Sequence, residues 1–321
     1  LKAEQHGHEA HWSYEGITGP THWGDMKKDF AQASHGTRQS PINIDTKNVL
    51  EAAFLDPVHF LYNSQSTFEV VNNGHTIKVN VSPPKSGDTK DNSIEIGENH
   101  YKLLQFHFHS KSEHKIDGKH TAMELHLVHV LEHHDDHDEK SGDHHPKAND
   151  AHGGGHGHAK QPNLAVIGVM IRDHNKTDVK VRPALGDHSV FMGQIWETLD
   201  TLQKETPKGT KGMLQFNMDP TRLLPEEGHR SYFQYRGSLT TPPCTENVLW
   251  TVLEEPIYLT TEQINKFKKM PFFDKIGQIN NRPVQELNDR YVLKFNEKKH
   301  KPHWSYEGKV GTKNWEKYWP V

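Results

Sequence analysis

Cysteine is almost absent from this chain: Cys244 is the only thiol among 321 residues. An intrachain disulfide is therefore excluded, leaving either a buried free thiol or a link to another molecule. Long apolar runs are absent as well. None approaches the roughly 18 residues that a membrane-spanning helix requires. A strong charge imbalance is missing too, since 38 Lys and Arg face 42 Asp and Glu for a formal net charge of -4. That near-balance gives no case for nucleic-acid binding. No basic-then-apolar leader opens the sequence, so a secretory signal is expected to have been removed or never present. Hydrophobic residues make up 32% and the mean hydropathy is -0.88, unusually polar for a chain long enough to bury a sizeable core.

What the chain has in excess is histidine, 27 in all. Some His-x-His pairs must then arise from composition alone, and a lone pair on a strand is usually structural. The stretch Gln105–His129, QFHFHSKSEHKIDGKHTAMELHLVH, asks for more than that. Successive side chains of an extended strand point to opposite faces, so His107 and His109 project together with Phe106 and Phe108 on the reverse. In the second run Glu124, His126 and Val128 share one face, and Leu125, Leu127 and His129 the other. Two neighbouring strands can thus present His107, His109 and His126 to one point. Three imidazoles with nothing else offered form the ligand set of a catalytic zinc, whose fourth position stays open for water. Gln105 and Glu124 stand ready as outer partners that orient the ligand rings. His129 is the sequence-level competitor for the third place, but it lies on the face opposite Val128.

Elsewhere, apolar–polar alternation in Thr67–Val71, Thr76–Val81, Tyr101–His109, Met123–Leu131 and Val248–Leu253 predicts strands separated by Gly, Pro and Asn turns. Phe191, Ile195, Leu199 and Leu202 fall on one helical face within Phe191–Gln203. Thr260 with Gln263 is a capping-box pattern announcing a helix over Gln263–Lys269. Separate runs of strands with few helices predict one α+β domain.

The motifs QFHFH, SEH and ELHLVH resemble the α-class carbonic anhydrases of bacterial type. So do HWSYEG at His11–Gly16, GPTHW at Gly19–Trp23, RQSPINI at Arg38–Ile44 and Asn72-Asn73-Gly74-His75. NLAVIG at Asn163–Gly168, GSLTTPP at Gly237–Pro243 and NNRP at Asn280–Pro283 continue the resemblance in the family's order. It covers about residues 10–295 and implies a large twisted, mostly antiparallel central sheet with few peripheral helices and zinc in a conical cleft. It implies zinc-dependent, reversible hydration of carbon dioxide to bicarbonate, with His107, His109 and His126 as ligands. Three neutral imidazoles leave the metal its full charge, and in this very family bound water is acidified to a pKa near 7. Thr240 corresponds to the family's gatekeeper. An ionised Glu113 can only accept, so Thr240 must donate to it and turn its lone pairs to the zinc hydroxide. Val128, Val166, Leu239, Val248 and Trp250 match the apolar substrate wall, and Thr241 is a secondary bicarbonate contact. His75 corresponds to the proton shuttle, expected at the cleft mouth, with Tyr14 and Asn73 ordering the connecting waters. Bacterial members often bridge the segment before QSPINI to the one after TTPP. Cys244 holds the second place here, but Ala33-Ser34-His35-Gly36 offers no thiol.

Two segments depart from the family pattern. The insert 133–160, HHDDHDEKSGDHHPKANDAHGGGHGHAK, is too poor in apolar residues to form a core and reads as a surface loop. It is either inert or a weak site for extra divalent metals. The C-terminal extension 296–321, which follows the 10–295 domain as 1–9 precedes it, repeats HWSYEG at His303–Gly308. Segment exchange through such a copy is a route to homo-oligomers. A periplasmic or secreted location is expected. The competing functional class is a metal-buffering or non-catalytic binding protein on the same fold.

Overall fold

The computed structural model describes residues 11–63, 66–81, 92–132, 162–176, 189–197, 211–270 and 279–300. Among them thirteen strands join one sheet. Its main path runs Lys211–Met218, Ser66–Asn72, Ile77–Val81, Asn99–His109, Met123–Leu131, Leu164–Asp173, Glu246–Leu253, Tyr232–Ser238, Leu293–Phe295 and Leu50–Glu51. Neighbours are antiparallel except where Leu164–Asp173 meets Glu246–Leu253 and, off the main path, Ile257–Leu259, and where Leu293–Phe295 meets Leu50–Glu51. This is the expected α+β architecture.

Burial follows the pleat. Phe106, Phe108, Leu125 and Leu127 are fully buried in the larger core on one face. Val128, Val166, Val248 and Trp250 form a second cluster with Phe233, Tyr235 and Ile42. Alternation does not run unbroken through Tyr101–His109, however. The pairing shifts between Leu103, opposite His129, and Gln105, opposite Val128. Leu104 is the extra residue and is 44% exposed. A bulge of this kind changes which residues share a face. Tyr101 and Leu103 therefore join Phe106 and Phe108 in the larger core, while Gln105, His107 and His109 turn to the opposite side.

Leu164–Asp173 shows no alternation to read, because almost all of it is buried, flanked by Met123–Leu131 on one edge and by Glu246–Leu253 and Ile257–Leu259 along the other. The capping box is present: Gln263 N–H donates to Thr260 Oγ1 at 3.2 Å and Thr260 N–H to Gln263 Oε1 at 3.1 Å. Thr260 being the cap, the helix starts earlier than expected and spans Thr261–Lys268. Residues 189–197 are helical, and the rest of the helix expected over Phe191–Gln203 lies outside the described residues. So do residues 1–10, the insert 133–160 and 301–321, including the repeat at His303–Gly308. No helix among the described residues is long and apolar enough to cross a membrane.

Candidate active site

Sheet register assembles the histidines. His107 lies directly opposite His126, and His109 opposite Glu124. Their ring centroids stand 5.0 Å (His107–His109), 5.2 Å (His107–His126) and 4.5 Å (His109–His126) apart. One nitrogen of each ring is already committed. His107 Nδ1–H donates to Gln105 Oε1 at 2.9 Å. His109 Nδ1–H donates to the Asn280 carbonyl at 2.6 Å. His126 Nε2–H donates to Glu124 Oε1 at 2.9 Å. Each ring keeps one lone pair, and the three ligand atoms lie within 4.8 Å of one another. Buried His109 Nε2 has no hydrogen-bond partner, and burial lowers the pKa of all three rings, keeping them neutral. An orphaned nitrogen among neutral imidazoles with fixed tautomers is what a divalent cation requires. The residues fit zinc.

Glu124 does more than the sequence suggests. Its Oε1 also accepts from His114 Nδ1–H at 2.7 Å, and its Oε2 accepts the Glu113 and His114 amides, each at 2.8 Å. With its own Nδ1–H donated, His114 Nε2 accepts from Tyr235 O–H at 2.7 Å, and Ser40 Oγ–H in turn donates to Tyr235 Oη at 2.8 Å. Donation from His114 and His126 overcomes burial and holds the Glu124 pKa well below the ordinary carboxylate range. His114, Tyr235 and Ser40 were not singled out from sequence. His114 sits inside SEH and Ser40 inside RQSPINI, but nothing local marks them as one chain of bonds.

Asn280 is the second hidden organiser. Its Oδ1 accepts the Ser110 amide at 2.7 Å, and its Nδ2 donates to the carbonyls of Phe108 and His75 at 2.9 and 3.2 Å. It thereby ties the ligand strand to the loop before Ile77–Val81. Two residues on, Arg282 N–H donates to Glu113 Oε1 at 2.8 Å. Glu113 Oε2 stands 3.5 Å from His109 Nε2 without a hydrogen bond. Burial raises the Glu113 pKa to about 7, against the lowering influence of His126, Thr240 and the Arg282 amide.

A cavity of about 240 Å³ opens over these groups, lined by Tyr14, Asn73, His75, Gln105, the three histidines, Val128, Val166, Leu239, Thr240, Thr241 and Trp250. Lys78 and Trp12, absent from the sequence reading, line it too. Val248 is buried in the cluster behind Val128 and Trp250 and does not line the cavity. Larger surface depressions of about 490 and 590 Å³ gather no such set of ligands.

His75 is more enclosed than a residue at the mouth would be. The turn that carries it is built by Asn72 and Asn73, whose Oδ1 atoms accept the amides of Gly74, His75 and Thr76, with Gly74 at φ 87°. The residue is 7% exposed and its ring stacks on Trp12 at 3.6 Å and 5°. Burial, helped by His11, pulls its pKa down to about 4. His129 is a satisfied core histidine, bonded to Tyr62 Oη at 2.9 Å and the Ala165 carbonyl at 3.3 Å. Cys244 is a buried free thiol with its pKa raised by burial to about 11. With no exposed surface, it offers nothing for a link to another molecule.

Fold and site together define a single-domain enzyme with a three-imidazole metal pocket on a twisted sheet. Residues 18–296 match the model of the eukaryotic-type carbonic anhydrases. A carbonic anhydrase of Nostoc sp. is 36% identical over 286 residues, covering 88% of this chain and 85% of its own. One from Klebsiella pneumoniae is 33% identical, covering 88% and 91%. The α-carbonic anhydrase of Thermovibrio ammonificans, solved with sulfanilamide, superposes with a TM-score of 0.61 at 35% identity, covering 88% of this chain and 99% of that one. A hyperthermostable carbonic anhydrase from a hydrothermal vent chimney reaches 0.65 at 35% identity, covering 89% and 100%. This chain belongs to the α-class carbonic anhydrase family, and its reaction is the reversible hydration of carbon dioxide. The metal-buffering and non-catalytic alternatives give way to that activity.

Proposed function

We propose that His107, His109 and His126 hold the zinc, facing the cavity that Thr240 and the Val128–Val166–Leu239–Trp250 wall enclose. The observation that carries this is the division of labour on each imidazole: one nitrogen tied to Gln105, Asn280 or Glu124, the other left as a lone pair. Bound there, zinc supplies the Lewis acidity that makes water a nucleophile near neutral pH. The protein's own part is orientation. Thr240 donates to Glu113 and leaves its lone pairs to accept from the attacking group, fixing that group's direction. Carbon dioxide, with no net dipole, rests on the valines, Leu239 and the Trp250 ring, which offer no competing hydrogen bond. Val248 supports that wall from behind. Thr241 contacts bicarbonate. His75 accepts the proton released at the cavity floor, through water ordered by Tyr14 and Asn73, and hands it to buffer. His107→Ala should abolish both zinc retention and hydration; a variant that is active without zinc would overturn the ligand assignment.

The finer assignments rest on composition and motif. The catalytic domain spans 10–295, flanked by 1–9 and 296–321. The insert 133–160 captures extra divalent metal through its histidines, so deleting it should slow zinc reloading of the apo-protein; unchanged reloading means an inert loop. The repeat at His303–Gly308 supports a homo-oligomer, and an unchanged solution mass per protomer after removal of 297–321 would exclude that. The protein works in the periplasm or outside the cell, as its kinship with bacterial enzymes suggests.

A further inference from the structure

The cavity holds one cation that neither sequence nor family reading assigned. Lys78 sits on the Ile77–Val81 strand directly opposite His107, and opposed residues of neighbouring strands present their side chains to one face. The side chain is half-buried and lines the same cavity as the three imidazoles. Among the described residues it makes no ion pair or hydrogen bond. The remaining polar lining around it is neutral: Gln105, Asn73, Thr76 and imidazoles.

An unpaired ammonium is out of place in a cavity built only to admit a neutral, apolar gas. It suits the other half of the reaction, whose product is a monovalent anion. Partial exposure keeps the ammonium hydrated, so holding it there costs little. Its long stem lets it follow an anion between the metal face and the mouth.

We propose that Lys78 is the anion-holding residue of this cavity, drawing bicarbonate and other monovalent anions toward the metal face. The inference rests on the reading of the cavity as the hydration site. It adds a residue that discriminates by charge: anions gain from Lys78, and carbon dioxide does not.

The test uses Lys78→Met, which keeps the stem, and Lys78→Arg, which keeps the charge. Azide binding to the cobalt-substituted full-length protein is followed by visible absorption, and KM values are measured in both directions by stopped flow. In Lys78→Met the azide Kd and the bicarbonate KM should rise about three- to tenfold, the Coulomb attraction of unit charges ~8 Å apart at an effective dielectric of about 30–60. The carbon dioxide KM should stay put, and Lys78→Arg should stay near the parent. An azide Kd within twofold of the parent in Lys78→Met would overturn the proposal. Equal weakening in both variants would overturn it too, by pointing to packing and not charge. A parent protein that binds azide yet hydrates no carbon dioxide would instead defeat the underlying reading of the site.

Discussion

Glu124→Gln is the sharpest probe of how this site is held. The substitution keeps shape and volume but replaces one oxygen by an NH2 that can only donate. Glu124 Oε2 faces two backbone amides, those of Glu113 and His114, which cannot reverse their direction. The NH2 must therefore take the place of Oε1 and face the rings of His126 and His114. Both rings then have to accept, which puts the His126 proton on Nδ1, the nitrogen meant for metal. His114 tolerates the change, since its Nε2–H can donate to Tyr235 in place of accepting. We expect zinc affinity to fall by at least about 10- to 100-fold, the usual cost of losing an outer partner of a metal ligand, with little loss of apo-protein stability. Glu124→Ala should behave differently. It strands four buried donors at ~1 kcal/mol or more each, so a loss of roughly 4 kcal/mol is expected in urea unfolding of the apo-protein. Zinc affinity is read by chelator competition. A Gln variant that binds zinc within twofold of the parent would refute the tautomer argument.

Two further outcomes follow from the buried histidines. His75→Ala should slow hydration in weak buffer and recover with added imidazole. Trp12→Ala should act the other way, because burial is the first cause of the lowered His75 pKa and exposing the ring returns it toward 6.5, where it takes up protons more readily at neutral pH; an equal loss at every buffer concentration in His75→Ala would remove the shuttle role. His129 has its pKa lowered from 6.5 to about 3 by burial, so between those values the unfolded chain binds one more proton than the folded one. Stability should then fall as pH drops below 6.5, by about 2 kcal/mol at pH 5 from this residue alone. His129→Gln should flatten that limb of the pH profile, and an unchanged difference between pH 7 and pH 5 in denaturant unfolding would refute it.

The ligand pair His107 and His109, and the partner His126, were legible because one face of these two strands packs into an apolar core and the other faces a polar cavity, which writes the two faces as alternation. The limits of that reading are equally physical. Alternation assumes one residue per step, so the bulge at Leu104 could not be seen; extending the parity back from His107 would have put Tyr101 and Leu103 in the cavity and not in the core. Leu164–Asp173 was recognisable only as a motif, since a strand covered on both faces carries no period. The outer bonds were out of reach for another reason. Asn280 meets His109 across 171 residues and Tyr235 meets His114 across 121, and neither partner's neighbourhood differs from ordinary sheet or loop. Lys78 was missed because a lysine in an alternating strand reads as its solvated face, whereas here that face is the wall of the cavity.

Burial does not separate the histidines that serve the metal from those that serve the core. His109 and His129 are both enclosed and both held neutral, so neither exposure nor protonation state tells a ligand from a strut. The difference is in the count of bonds. His129 has both nitrogens engaged, by Tyr62 and Ala165, and has nothing left to give. Each ligand ring has one outer acceptor and one unspent lone pair, and the sheet sets those lone pairs toward a common point. His129 stands three positions after His126, an odd offset that turns the two rings to opposite faces of one strand. The bulge on the neighbouring strand then gives each its own partner, His107 for the first and Leu103 for the second. A one-residue slip of this pairing would exchange the two environments, bringing His129 to the cavity and sending His126 into the core. Register, more than the abundance of histidine, is what makes this a catalytic site.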